Sequence, residues 1–230
     1  NSATANVFNT LDEGSSKTQQ WVEKNQNIIL SLVAIIALSV IGIYLYSNFV
    51  IKPKEQKAFN EMYYSQKKFD EAILINNDSL YNLVLNGDGT NLGMLGMIDE
   101  YGGTNAANLA AYYSGMIYLK MNDYQNSIKY LSEFSSDDMI LGSLATGSIG
   151  DAFAELNQFE DAYEYYVKAS KNNNSYTSPI YLFKAGLIAM KLEKFKKAEG
   201  YFSSIKSDYS KSAEAKNIDA YISKARASYQ

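Results

Sequence analysis

Residues 108–135, NLAAYYSGMIYLKMNDYQNSIKYLSEFS, decide the fold, because the chain repeats their pattern twice more. Residues 143–170 read SLATGSIGDAFAELNQFEDAYEYYVKAS, and residues 179–206 read PIYLFKAGLIAMKLEKFKKAEGYFSSIK. A glycine returns at Gly115, Gly150 and Gly186, spaced by 35 and then 36 residues. An aromatic opens each second half at Tyr124, Phe159 and Phe195. Three residues later comes a small side chain: Ser127, Ala162 or Ala198. A bulky pair follows, Tyr130-Leu131, Tyr165-Tyr166 and Tyr201-Phe202. Two helices of a hairpin can approach closely only where one lacks a side chain, and a neighbouring ring fills the remaining space. Each hairpin leaves an apolar face that the next must cover, so the pattern predicts an open stack of helical pairs.

The repeat length and the small–aromatic pattern resemble the tetratricopeptide repeat (TPR). That resemblance implies an all-α fold, a TPR solenoid with repeats at about 108–141, 143–177 and 179–210. Ser127 departs from the usual alanine, and Pro179 opens the third repeat, where a first-turn proline is favourable. Phe69 and Ala72 match the aromatic and small positions, so 54–76 is expected as a degenerate repeat with its turn at Ser65 to Lys68. At the far end, Ala213, Ile218, Tyr221 and Ile222 share one face of 211–230, which predicts a C-terminal capping helix.

Upstream, residues 28–51 read IILSLVAIIALSVIGIYLYSNFVI, with no charge between Lys24 and Lys52. As a helix these residues span about 36 Å, enough for a bilayer core with some tilt. Ile28, Leu32, Ile36, Val40, Ile43 and Leu45 are the expected membrane-anchor residues. The run is too long and starts too late for a cleaved signal peptide. A core helix of this length in a globular protein would show a polar face, and none is present. Residues 1–27 are expected as a solvated tail in which Gly14, Ser15 and Ser16 interrupt any helix. Pro53 is expected to kink or restart the helix after the anchor.

Composition narrows the function. The chain has no cysteine and no histidine. That removes disulfides, thiolate nucleophiles, a lipid-modified cysteine, the usual general base and the commonest transition-metal ligand. A net charge of −4 suits nucleic acid poorly. The expectation is a non-enzyme with no cofactor, no metal, no nucleic-acid partner and no small-molecule substrate. Asn86 to Asn91, NGDGTN, lacks the further acidic ligands of a calcium loop and the lysine of a phosphate loop, and reads as a turn. The surrounding segment 77–104 is a glycine-rich insert, with a short helix at Leu92 to Tyr101 capped by Asn91 and Thr104 capping the next. The carboxylate pairs Asp137-Asp138 and Glu160-Asp161 sit where they support helix starts.

In repeat register, the first-helix residues that would line a concave, partner-binding face are Tyr112, Met116, Lys120, Asp151, Glu155, Phe183, Leu187 and Lys191. Two readings fit them: a groove for an extended or helical apolar segment, or side chains covered by the solenoid's curvature and its cap.

Taken together, the layout resembles the YfgM-type ancillary subunits of the bacterial Sec translocon. Residues 87–119, GDGTNLGMLGMIDEYGGTNAANLAAYYSGMIYL, are similar to the glycine-broken insert and first helix of the Bacteroidetes branch of that family. The resemblance implies a single-pass protein of the bacterial inner membrane, with its N-terminus in the cytoplasm and its TPR domain in the periplasm. It implies as partners the SecYEG translocon, a PpiD-like periplasmic chaperone and translocating polypeptides. An anchored TPR adaptor for another cell-envelope complex, such as a secretion machine, is the alternative. Lys52, Lys54, Lys57, Lys67 and Lys68 follow the anchor whereas only Lys17 and Lys24 precede it, and by the positive-inside tendency this places the domain in the cytoplasm.

Overall fold

The computed structural model describes residues 2–230, with side chains from Trp21 onward. The chain divides into two units, 1–53 and 54–230.

In the first unit, helix α1 spans Ser2–Tyr46. The expected break at Gly14 to Ser16 is absent. A glycine inside a helix costs only about 1 kcal/mol relative to alanine, too little to stop a helix by itself. The expected solvation of residues 1–20 lies outside the described side chains. Ile28, Leu32, Ile36, Val40, Ile43 and Leu45 are all exposed, Ile43 at 70%. Of the described residues, one helix is long and apolar enough to cross a membrane, and its apolar window is unburied. A helix that is oily on every side and packs on nothing is not the core of a globule.

A π-helical turn occupies Ser47–Ile51, where the Lys52 N–H donates to the Ser47 carbonyl. Helix α2 then runs over Lys52–Ile75. Pro53 has no N–H to give Phe49, so the ladder widens beside it instead of breaking. The turn expected at Ser65 to Lys68 is also absent. Segment 54–76 is one helix, not a hairpin. Ser65 is buried and donates through Oγ to the Leu92 carbonyl (2.6 Å). The polar interruption in the apolar stripe is thus a contact to the following loop rather than a turn.

Helix α3 covers Asp78–Asn86, capped by Asn77, and α4 covers Met94–Tyr101. The first turn of α4 follows Gly93, two residues later than the expected cap Asn91. Asn91 instead closes the intervening loop with Asp88, whose Oδ1 accepts the N–H groups of Thr90 (2.9 Å) and Asn91 (2.7 Å). These hydrogen bonds, with others from the Asn91 amide and the Tyr64 hydroxyl, hold the Asp88 carboxyl well below the usual carboxylate range. Two backbone segments touch here, in an isolated antiparallel bridge between Gly87 and Leu92. A Cβ on Gly93 would lie 2.3 Å from both the Gly87 nitrogen and the Leu85 carbonyl oxygen. Asn86 to Asn91 is therefore a turn, as its composition indicates.

The remaining helices form pairs. Helices α5 (Asn105–Lys120) and α6 (Tyr124–Glu133) make the first. Helices α7 (Met139–Glu155) and α8 (Phe159–Ser170) make the second, and α9 (Ser178–Lys191) and α10 (Phe195–Asp208) the third. Helix α11 (Ile218–Ala227) closes the end, burying Ile218 and Ile222 with Phe202 and Ile205 of α10. Thr104 caps α5 through the Ala107 N–H, and Asp138 caps α7 through those of Ile140 and Leu141.

The repeat glycines sit at the close approaches. A Cβ on Gly115 would meet Leu131, on Gly150 would meet Tyr166, and on Gly186 would meet Phe202, each within 3 Å. The three hairpin turns share one backbone geometry. Asn122, Asn157 and Glu193 adopt left-handed φ of 60°, 58° and 57°. The next N–H in each turn reaches back to Tyr118, Phe153 or Ala189 (2.8–2.9 Å), ending the first helix in a Schellman-like close.

Candidate partner-binding surface

The eight predicted first-helix residues do not form one open groove. Tyr112 packs on Tyr113 and Phe134, with ring centroids 5.8 and 5.2 Å away, and burial raises its phenol pKa. Met116 joins the cluster around Leu131, Ala145 and Ile149. Phe183 stands edge-on to Tyr221 of the closing helix (4.9 Å) and tilts against Phe202. These apolar members are used in packing, and for Phe183 it is the capping helix that covers it. Lys120 and Glu155 are exposed, as is Leu187 at 40%. The Lys191 ammonium sits 3.7 Å from the Phe159 ring centre, a cation–π contact from the end of α9 in the third hairpin to the start of α8 in the second.

Asp151 is the most heavily engaged of the eight. Its carboxylate accepts two hydrogen bonds from the Lys184 ammonium (2.6 and 2.8 Å) and one from the Tyr166 hydroxyl (2.6 Å). Three helices thus meet at one charge: α7 supplies Asp151, α8 supplies Tyr166 and α9 supplies Lys184. Burial first, and the Asp151 charge second, push the Tyr166 and Tyr181 phenols far above their ordinary range. Lys184 was not among the expected site residues. The signal available was its spacing of 33 residues from Asp151, close to one repeat.

The open concavity lies elsewhere, at the edge formed by the loops between hairpins. A cleft of about 780 Å³ is lined by Ile98, Thr104, Asn105, Asn108, Leu109, Glu133, Phe134, Asp137 and Leu141, among others. Asn108 fixes one wall. Its amide donates to the Ser135 carbonyl (2.7 Å) and accepts the Ser135 N–H (3.0 Å). A smaller cavity of about 310 Å³ adjoins it, sharing Phe134, Ser135 and Ser136 and adding Thr146, Tyr165 and Lys168. None of the eight predicted residues lines either cavity. The lining joins loop residues to helix positions, such as Asn108, Leu109 and Glu133, other than those that repeat register assigns to a concave face.

Residues 109–137 match the family model for the tetratricopeptide repeat, which covers the first hairpin and its exit loop. No curated protein and no solved structure matches the chain. The helical pairs and this match together define an all-α solenoid of TPR type, a class of repeat that binds other proteins. Among the described residues, no group of three or more acidic, histidine or cysteine side chains is placed to hold a metal ion.

Proposed function

We propose that this chain is a membrane-anchored protein-interaction subunit associated with the SecYEG translocon. In this reading the solenoid lies in the periplasm, where it recruits a PpiD-like chaperone or handles polypeptides leaving the channel. The observation that carries the anchored-adaptor part is the pairing of one unburied helical stretch, free of charge between Lys24 and Lys52, with a stack of helical hairpins in a single chain. The translocon part is supported by the resemblance of residues 87–119 to the corresponding stretch of the YfgM-type family. Gentle detergent extraction at native expression tests it: SecY copurifies with the chain if the reading holds, and its absence defeats the reading.

An anchored adaptor for another cell-envelope complex is the second reading, and the lysine distribution around the apolar helix favours the opposite orientation, with the solenoid in the cytoplasm. Protease treatment of intact spheroplasts separates the orientations. Cleavage of the solenoid from outside supports the periplasmic placement, and protection of the solenoid overturns it.

A further inference from the structure

We infer that the cleft between the α4–α5 junction and the α6–α7 loop is a docking site for a short cationic–apolar peptide segment of a partner protein. The inference rests on the solenoid being a protein-interaction domain, and not on which machine it serves. Three observations carry it.

The first is charge. The lining includes Glu133 and Asp137 and contains no lysine or arginine. Neither carboxylate has a basic group within 4 Å among the described residues, since the ion pairs there are those of Glu71, Glu100, Asp151, Glu199 and Asp219. Lys57 is turned to Glu100 (3.8 Å), and Lys54 donates to the carbonyl of Gly102 at the cleft edge (3.0 Å). The start of α5 would ordinarily offer a positive field. Here Glu55 fills it by accepting the Asn105 and Ala106 N–H groups. The lining is therefore acidic, with Lys54 held at its Gly102 edge and Lys168 in the adjoining cavity.

The second is shape. The volume falls within the range of about 300–1,000 Å³ that suits a bound segment. The floor carries Ile98, Leu109, Phe134 and Leu141, all half-buried. Apolar side chains of a ligand would cover this floor while its cations meet Glu133 and Asp137 at the rim.

The third is rigidity. The double hydrogen bond from Asn108 to Ser135 and the Asp138 cap hold the α6–α7 loop at both ends. A wall that is already fixed loses little entropy when a ligand arrives.

The test uses the full chain in detergent micelles. Fluorescence anisotropy follows a short labelled peptide of alternating leucine and lysine, and its twin carrying glutamate for lysine. The expected result is saturable binding of the lysine peptide, weakening with salt, and none of the glutamate twin. The double variant Glu133→Gln with Asp137→Asn removes two exposed charges that cap nothing, and is expected to weaken binding about three- to tenfold. Asn105→Trp places an indole at the mouth and is expected to abolish binding with both carboxylates intact. Far-UV circular dichroism confirms that each variant is folded. Equal binding of both peptides, or unchanged affinity in the two folded variants, overturns the site. Failure of the lysine peptide to bind while SecY still copurifies overturns the cleft alone; binding without SecY removes the translocon reading and keeps the cleft.

Discussion

Gly147 and Tyr181 share one space. A Cβ on Gly147 would lie 1.9 Å from the Tyr181 ring. Tyr181 is itself buried, and its ring stacks with that of Tyr166 at 6.3 Å. The second hairpin thus accepts a side chain of the third into its first helix. Gly147→Ala is expected to destabilise the solenoid by roughly 3 kcal/mol, because a buried ring cannot swing clear. Combining it with Tyr181→Leu should cost less than the two changes added separately. Denaturant unfolding of the four proteins of this cycle measures the coupling, and strict additivity would count against the contact.

Glu193 holds a left-handed backbone that its two counterparts assign to asparagine. A glutamate in that conformation carries strain that asparagine tolerates and glycine avoids. Glu193→Asn and Glu193→Gly are expected to stabilise the third hairpin by about 0.5–1 kcal/mol. Thermal unfolding reads this directly, and a lowered midpoint for both variants contradicts it.

Ser127 occupies the small position of the first repeat, fully buried, with its hydroxyl unpaired. The other two repeats use alanine there. A buried hydroxyl without a partner costs about 1–3 kcal/mol. Ser127→Ala should therefore raise stability by about 1 kcal/mol, the reverse of the usual outcome for a core truncation. A loss of stability would show that the hydroxyl has a partner in solution.

Tyrosine titration sets the alkaline limit of the fold. Burial, then nearby charge or a neighbouring phenol, raises Tyr166, Tyr181 and Tyr201 above the ordinary value of 10.0. Their folded pKa values exceed the unfolded ones, so their contribution is fully present below about pH 10 and declines as pH rises beyond it. Above that pH the unfolded chain releases protons that the folded chain retains. Phenolate absorbance should show an exposed fraction titrating normally, and the remainder appearing only as helix content is lost. A single smooth titration of all tyrosines with the helix signal intact would refute the burial argument.

Glu55 receives the first two N–H groups of α5 at 2.8 and 3.1 Å. Glu55→Ala should remove about 1 kcal/mol, by analogy with the loss of an N-cap. Faster amide hydrogen exchange is expected at Asn105 and Ala106, with little change at the third hairpin. Unchanged exchange at those two amides would remove the cap from the account.

The hairpin stack was legible because it is periodic. Gly115, Gly150 and Gly186 mark close approaches in all three repeats, and the long apolar helix is visible from its missing charges alone. The expected turn at Ser65 to Lys68 failed because polar residues on a helix can serve a tertiary contact as well as a loop. Ser65 does so through Leu92. The first-helix positions were correctly placed on helices, but register does not reveal which of them packing consumes. Phe183 lost its exposure to Tyr221, which lies outside the repeats. Gly147 escaped notice because the other repeats hold Tyr112 and Phe183 at its position. The cleft escaped because Asn108, Glu133 and Asp137 come together only after the helices are laid side by side.

The Glu55 carboxylate stands 50 residues ahead of the amide it covers. During synthesis, α2 leaves the ribosome before α5 exists, so the cap is available when the first hairpin begins to form. The first hairpin is thereby tied to α2, while the later hairpins depend on their immediate neighbours. A fragment cut between α2 and α5 would begin its first repeat with two bare backbone donors, which makes α2 part of the smallest self-sufficient solenoid.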